Sequence, residues 1–295
     1  MDLISQVVRL GGVCDRATLV RLRSVGEVDA ALANGTLERD ARGRYSLATT
    51  RASVRTANRV AGTLSHRSAA QYWGWAQKST PKLPEITFPR DRRVEPRQRR
   101  LLVPHWSVLG PDDVEGPVTT PARSLIDCMR NLPLDESIPI VDSAIRADDF
   151  TSNEVAALAD STRGRGRQRI REVASAATGK AFNPFESVLH AQALLVPGLK
   201  VEPQLPVPIP GARTVHPDLA DRALRIALEA EGFEWHGDPA ALTRDCRRYN
   251  LLTLLGWQVI RFSWYLVMHD PAYVHQTLLA AVQLARQHAN VPRGP

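Results

Sequence analysis

The spacing of polar and apolar positions over residues 1–50 predicts three short helices followed by a hairpin. The first helix covers Asp2 to Leu10 and stops at Gly11-Gly12. The second runs from about Asp15, a residue type suited to the N-cap, to Leu22. The third opens at Ser24 with Glu27 three residues on, the spacing of a capping box, and ends at Asn34-Gly35. Leu37-Glu38-Arg39 and Arg44-Tyr45-Ser46-Leu47 then flank Asp40-Ala41-Arg42-Gly43, which suits a tight turn. Helix, helix, helix, hairpin is the order of a winged helix-turn-helix, a DNA-binding domain. Such a fold would set the third helix in a major groove, with Arg21, Arg23, Arg39, Arg42 and Arg44 on phosphates. The third helix carries Glu27 and Asp29 among mostly small residues, so it has few obvious base readers, and the same fold used for protein contact stays open.

Residues 51–180 are expected to form a mixed α/β middle region. Ser65-His66-Arg67-Ser68-Ala69-Ala70 opens a short helix, against which Trp73-Gly74-Trp75 would pack. Glu85-Ile86-Thr87-Phe88-Pro89 reads as a strand, and Leu101-Leu102-Val103 as another. Between them, Arg90 to Arg100 holds six arginines against Asp91 and Glu95. Thr119-Thr120-Pro121-Ala122-Arg123 begins a helix, with Thr120 as cap and Pro121 at the first helical position. The stretch from Arg163 to Arg169 is a basic loop, either on phosphate or merely solvated.

Residues 181–295 read as a last α/β domain. Asn183 caps a helix whose first residue is Pro184, and Pro203 to Gly211 is a proline-rich strand edge and turn. Two apolar, strand-like runs follow, Thr214 to Asp221 and Ala223 to Glu231. A helix from Asp238 to about Leu255 leads to a strand ending at Phe262. A closing amphipathic helix, about Pro271 to His288, would bury Val274, Leu278, Leu279, Val282 and Leu284, and the tail after Asn290 should fray. The fold class expected is therefore α+β and multi-domain.

Composition narrows the function. At 295 residues the chain has room for two or three domains. No run approaches 18 apolar residues, so no transmembrane helix and no membrane partner are expected. Asp2, Gln6 and Arg9 make the N-terminal stretch an amphipathic helix rather than a signal peptide. Cys14, Cys128 and Cys246 are far apart and form no metal-spaced pair, which fits a reducing cytoplasm. A net charge of +7 and a pI near 9.8 point to an anionic partner, most commonly nucleic acid. The skew of 34 Arg to 4 Lys fits a GC-rich genome as well as it fits phosphate contacts.

Pro217-Asp218, Glu229-Ala230-Glu231-Gly232 and His236 carry the candidate chemistry. The acids sit at the ends of the two strand-like runs. Carboxylates meeting at one sheet edge repel unless a cation lies between them. In a basic chain, that suggests metal-dependent chemistry on a phosphodiester.

Residues 183–270 resemble the restriction-endonuclease-like PD-(D/E)XK superfamily, and more closely its branch related to very-short-patch-repair endonucleases. The resemblance is carried by Pro184-Phe185-Glu186-Ser187, Pro217-Asp218, Glu229-Ala230-Glu231-Gly232, His236, Arg244-Asp245, Arg247-Arg248 and Gly256-Trp257-Gln258-Val259-Ile260-Arg261-Phe262. It implies Mg²⁺ or Mn²⁺ as cofactor, with Asp218 and Glu229 as primary ligands and Glu186 completing the shell through water; no small-molecule cofactor is implied. Glu231 stands where the superfamily usually has lysine, and no lysine follows Lys200. The related branch uses histidine instead, so the resemblance makes His236 a general acid or base, while Arg244 and Arg248, one turn apart, would hold phosphate. Each residue also has a plainer role available. Asp218 and Glu229 would then be surface acids, Glu231 a turn residue, His236 a structural loop histidine and Glu186 a helix-start acid.

The N-terminal half, with Ser65-His66-Arg67-Ser68-Ala69-Ala70 and Thr119-Thr120-Pro121-Ala122-Arg123-Ser124-Leu125, resembles AbiEi-type antitoxins of type IV toxin–antitoxin systems. That resemblance implies an autorepressor on operator DNA, with a cognate nucleotidyltransferase-like toxin as partner. Two functions follow: a DNA-binding, metal-dependent endonuclease, or a non-enzymatic repressor with a degenerate nuclease fold.

Overall fold

A computed structural model of the chain describes residues 2–211, 213–231 and 239–290. They form an α+β fold divided into two compact units, residues 1–75 with 79–130, and 76–78 with 131–295. The stretch 51–180, expected as one middle region, is therefore shared between the two. Among the described residues, no helix is long and apolar enough to cross a membrane.

The first unit opens with α1 (Leu3–Arg9), β1 (Val13–Asp15), α2 (Arg16–Leu22), α3 (Val25–Ala33), β2 (Leu37–Ala41) and β3 (Arg44–Leu47). The expected caps are present. Asp2 and Asp15 accept from the Ser5 and Thr18 amides, each at 2.7 Å. Ser24 and Glu27 exchange backbone bonds at 3.3 and 3.1 Å, which closes the capping box. Strand β1 escapes sequence reading because three residues are too few to show alternation; it pairs with β3, in the order β1-β3-β2. The hairpin turn is tighter than expected, because Asp40 lies inside β2. Its buried carboxylate takes Arg55 Nε and Asn58 Nδ2 at 2.9 Å and Ser46 Oγ at 3.1 Å. Gly43, at φ +73°, makes the reversal.

The unit continues with α4 (Ala52–Arg59), β4 (Thr63–Leu64), α5 (His66–Tyr72), β5 (Glu85–Phe88), α6 (Pro96–Arg99), β6 (Val103–Trp106), β7 (Val114–Glu115), β8 (Val118–Thr119) and α7 (Pro121–Asn131). Its sheet runs β6-β5-β4-β8-β7. The Ser65–Ala70 motif is a polar clamp between α5 and β5. Thr87 donates to Ser65 Oγ at 2.8 Å, the Glu85 amide donates to Ser68 Oγ at 2.9 Å, and Arg67 grips Glu85 at 2.7 and 2.9 Å. At α7, the Arg123 amide donates to Thr120 Oγ1 at 3.4 Å, the expected cap, and the Arg123 side chain joins Asp113 and Asp127 at 3.0 Å. Leu101 and Leu102 precede β6 rather than starting it.

The second unit holds α8 (Leu134–Arg146), α9 (Ser152–Ser161), α10 (Arg167–Ala176), α11 (Pro184–Leu194), β9 (Glu202–Pro203), β10 (Leu219–Asp221), β11 (Ile226–Glu231), α12 (Pro239–Leu254), β12 (Gln258–Ser263), α13 (Trp264–His269) and α14 (Pro271–Asn290). The sheet runs β12-β11-β10-β9, antiparallel except for β11 and β12. A parallel pair needs a crossover, and α12 supplies it. On one face Leu219, Leu228 and Phe262 pack with Val188 and Leu189 of α11 and Val274 and Leu278 of α14. On the other, Ala220 and Ala227 pack with Leu252 of α12 and Trp257.

Several expectations change here. The basic stretch 163–169 is not all loop, because Arg167 starts α10. Strand β10 begins at Leu219 rather than Thr214; upstream, among the described residues, Val215 bridges to Val207 and the Gln204 amide donates to the Asp218 carbonyl at 3.1 Å, while Pro206, Pro208, Pro210 and Pro217 have no amide hydrogen to donate. Leu284, expected in the core, is 41% exposed because the buried stripe of α14 follows Val274, Leu278, Ala281 and Val282.

Asp142 of α8 joins three pieces of this unit. Its buried carboxylate accepts from the Thr178 and Gly179 amides at 2.8 Å and from Ser187 Oγ of α11 at 2.7 Å. We expect Asp142→Ala to strand those donors and lower the stability of this unit by about 2–4 kcal/mol, read by denaturant titration; a change below about 0.5 kcal/mol would remove Asp142 from that role.

Candidate functional site

Strand register brings the acids together. Strands β10 and β11 pair with Leu219 opposite Leu228 and Ala220 opposite Ala227. One step further along that register sets Asp218 opposite Glu229, and directly opposed residues share a face. Asp218 extends the ladder with its side chain, Oδ2 accepting from the Ala230 amide at 2.8 Å. Alternation along β11 puts Glu231 on the Glu229 face, and β12 sets Arg261 beside Glu229 on the other flank. Glu186 enters from the first turn of α11. The four acids, with Arg244, Asp245, Arg248 and Tyr249 of α12, line a cavity of about 860 Å³.

The acids are bound unequally. Glu186 accepts from the Phe182 amide and from Asn183 Nδ2, both at 2.8 Å. Glu231 Oε1 accepts from Arg261 Nε at 2.8 Å and from the Tyr249 hydroxyl. Glu229, 2% exposed, meets Arg248 Nη2 through Oε2 at 3.0 Å, while its Oε1 is buried with no hydrogen-bond partner. Arg248 Nη2 also donates to the Tyr249 hydroxyl at 3.1 Å. The Tyr249 ring lies 5.0 Å from the Arg248 guanidinium carbon and 4.5 Å from that of Arg261.

Burial and crowding shift these groups. Burial, then the neighbouring Asp218, pushes Glu229 up to about 8. The same two causes push Glu186 up to about 7. Burial also raises Asp218. Burial acts upward on Glu231 too, but the hydrogen bonds from Arg261 and Tyr249 outweigh it and the net shift is downward.

Of the residues expected at the site, Asp218, Glu229, Glu231, Glu186, Arg244 and Arg248 all lie on this cavity wall. His236 lies outside the described residues. The expected DNA-contacting arginines belong to the first unit, with Arg21 on α2, Arg23 at its C-cap, Arg39 on β2, Arg42 in the turn and Arg44 on β3. Two polar wall residues, Tyr249 and Lys78, were not foreseen, nor was Arg261, which holds Glu231. Arg261 was legible from alternation in β12. Tyr249 follows from adjacency to Arg248. Lys78 was not legible, because it lies far upstream. It joins this unit through the Ala76 amide on Ser143 Oγ at 2.8 Å and pairs with Asp135. The expectation that no lysine follows Lys200 is unchanged, and the lysine on this wall comes from a distant segment.

The donor set suits a hard divalent cation. Carboxylate oxygens from two strands face one cavity, and one buried oxygen lacks a partner. A second cluster, His66, Glu85 and His105, brings three ligand atoms within 4.8 Å of one another, a spacing that no three of the described cavity acids reach. The rings stack 3.6 Å apart at 18°, so their in-plane lone pairs run side by side instead of converging, and Arg67 already occupies Glu85. Burial lowers both histidines, which disfavours charge on the stack.

No family model matches the chain. Two curated relatives from Mycobacterium tuberculosis, uncharacterized protein MT2308 (strain CDC 1551 / Oshkosh) and uncharacterized protein Rv2248 (strain ATCC 25618 / H37Rv), are each 32% identical over 147 residues. The match covers 48% of this chain and 53% of theirs, so the chain spans about half the length of the curated relatives it matches. The crystal structure of the RV2827C protein from Mycobacterium tuberculosis aligns at a TM-score of 0.34 and 14% identity, over 65% of this chain and 79% of that one.

The raised carboxyls give a pH dependence of defined sign. Between the ordinary glutamate value and about 8 the folded unit binds more protons than the unfolded chain. Its stability is therefore full in mild acid and is lost as pH rises. Without divalent cations, the opening free energy of amides in the second unit, followed by hydrogen exchange, should fall from about pH 5 to about pH 8. Glu229→Gln should flatten that slope; an unchanged slope would mean Glu229 titrates normally.

Proposed function

We propose that this chain is a DNA-binding protein whose second unit is a metal-dependent, endonuclease-like domain that hydrolyses or nicks phosphodiester bonds. One observation carries the proposal. Asp218 binds the Ala230 amide beside Glu229, where the strand register carried one step on sets the two acids opposite each other, and Glu229 keeps a buried oxygen without a partner on a wall shared with Glu186 and two arginines. The order helix, strands, crossover helix, parallel strand supports the restriction-endonuclease-like reading.

Asp218 and Glu229 would hold Mg²⁺ or Mn²⁺, which when bound would activate water and offset charge on the phosphate. Arg244 and Arg248 stand one turn apart on α12, spaced to receive phosphate oxygens. In the first unit, the element order and the β1-β3-β2 sheet support a winged helix, which would place its arginines on the DNA backbone.

A second reading is a repressor of the antitoxin type, paired with a nucleotidyltransferase-like toxin, whose nuclease fold no longer cuts. The tie of Glu231 to Arg261 and Tyr249 favours it, because that acid stands where the superfamily has a free lysine.

Incubation with supercoiled plasmid and Mg²⁺ or Mn²⁺ should give nicked product, reduced at least about a hundred-fold by Asp218→Asn or Glu229→Gln. No nicking, or nicking indifferent to both changes, would set the nuclease reading aside. The repressor reading expects a gel shift on DNA from upstream of the gene that survives those changes and is lost when Arg42 and Arg44 become Ala. Binding that persists in the double variant would remove the hairpin from DNA contact.

A further inference from the structure

We propose that Arg248 is a built-in counter-ion that competes with a divalent cation for Glu229 and, once displaced, turns to the DNA phosphate. The inference rests on the metal-dependent reading above and adds to it a regulation of cation and DNA binding by one side chain.

The Arg248–Glu229 contact is a poor match of partners. A guanidinium and a carboxylate pair best as a fork, with two parallel N–H···O bonds. Here Nη2 alone reaches Oε2, at 3.0 Å. Glu229 Oε1 and Arg248 Nε are both buried and both lack a hydrogen-bond partner. A donor and an acceptor are thus left over in a dry place within the same pair. The neighbouring acids are held better: Glu231 by Arg261 and Tyr249, Glu186 through both oxygens, and Asp218 by the Ala230 amide. Among these four carboxylates, Glu229 is the one with a buried oxygen that lacks a hydrogen-bond partner, and its other oxygen is held by a side chain that can move away.

Arg248 also has somewhere to go. Its side chain is 28% exposed, and Asp245 Oδ1 lies 3.6 Å away on the same face of α12. The guanidinium can move along its own helix towards solvent without unpacking the sheet. While it stays, it offsets part of the repulsion among Asp218, Glu229 and Glu231. When it leaves, a positive group is presented at the cavity mouth beside Arg244. Cation binding and phosphate binding then reinforce each other through Arg248, and such coupling is reciprocal.

The test uses the full-length protein with Mn²⁺ and a short DNA duplex. Mn²⁺ affinity, read by the electron paramagnetic resonance of the free ion, should rise roughly ten-fold in Arg248→Gln. Arg244→Gln removes the same charge from the same wall and should change it far less. Mn²⁺ should tighten duplex binding to the wild type, read by fluorescence anisotropy, and Arg248→Gln should lose most of that gain. Arg248→Lys, which keeps the charge without the fork, should lie between the two, and all variants are compared at equal helicity. Equal or weaker Mn²⁺ binding by Arg248→Gln, or an equal rise in Arg244→Gln, would overturn the exchange while leaving the metal site standing. If neither wild type nor variant binds Mn²⁺ in a Glu229-dependent way, the metal-dependent reading falls as well.

Discussion

The bond from the Ala230 amide to Asp218 Oδ2 is the constraint on which the site depends. A sheet normally satisfies such an amide with a backbone carbonyl from the facing strand. At this point the strand has just passed Pro217, and the carboxylate takes the carbonyl's place. The substitution holds an acid against the backbone of the next strand, directly between Glu229 and Glu231. A slip of register by one residue would turn Glu229 to the face packed by α11 and α14, where a carboxylate has no business. The acid cluster is therefore tied to the same register that closes the hydrophobic core.

That arrangement concentrates carboxyl groups in a unit of a strongly basic protein. Three of the four carboxyls are shifted upward by burial, while the fourth is drawn downward by Arg261 and Tyr249. The Tyr249 ring lies close to two guanidinium groups, and its hydroxyl donates to Glu231. Asp142 has the quieter task of keeping α11, and with it Glu186, against α8.

Much of this was legible where local chemistry decides it. Asp15, Ser24 and Asn183 announce their helices because a side chain that caps must sit immediately before the first turn. Asp218 and Glu229 were legible because acids ending apolar runs are uncommon without a purpose. The misses share a different cause. Strand β1 is too short to alternate, and β10 is cut short by prolines whose effect depends on partners elsewhere in the sheet. Ser65, Arg67 and Ser68 read only as the opening of a short helix, yet they bond Thr87 and Glu85 of β5, which only the fold brings near. Lys78 could not be placed at all, since nothing in its neighbours records that Ala76 bonds to a serine in α8.

The three residues 76–78 belong to the second unit, while the chain before and after them belongs to the first. No single peptide bond therefore divides the protein into its two halves. Cutting after residue 130 would strip Lys78 from the cavity wall and leave the Ser143 hydroxyl without its amide donor. A version of the second unit made alone therefore needs residues 76–78 supplied with it.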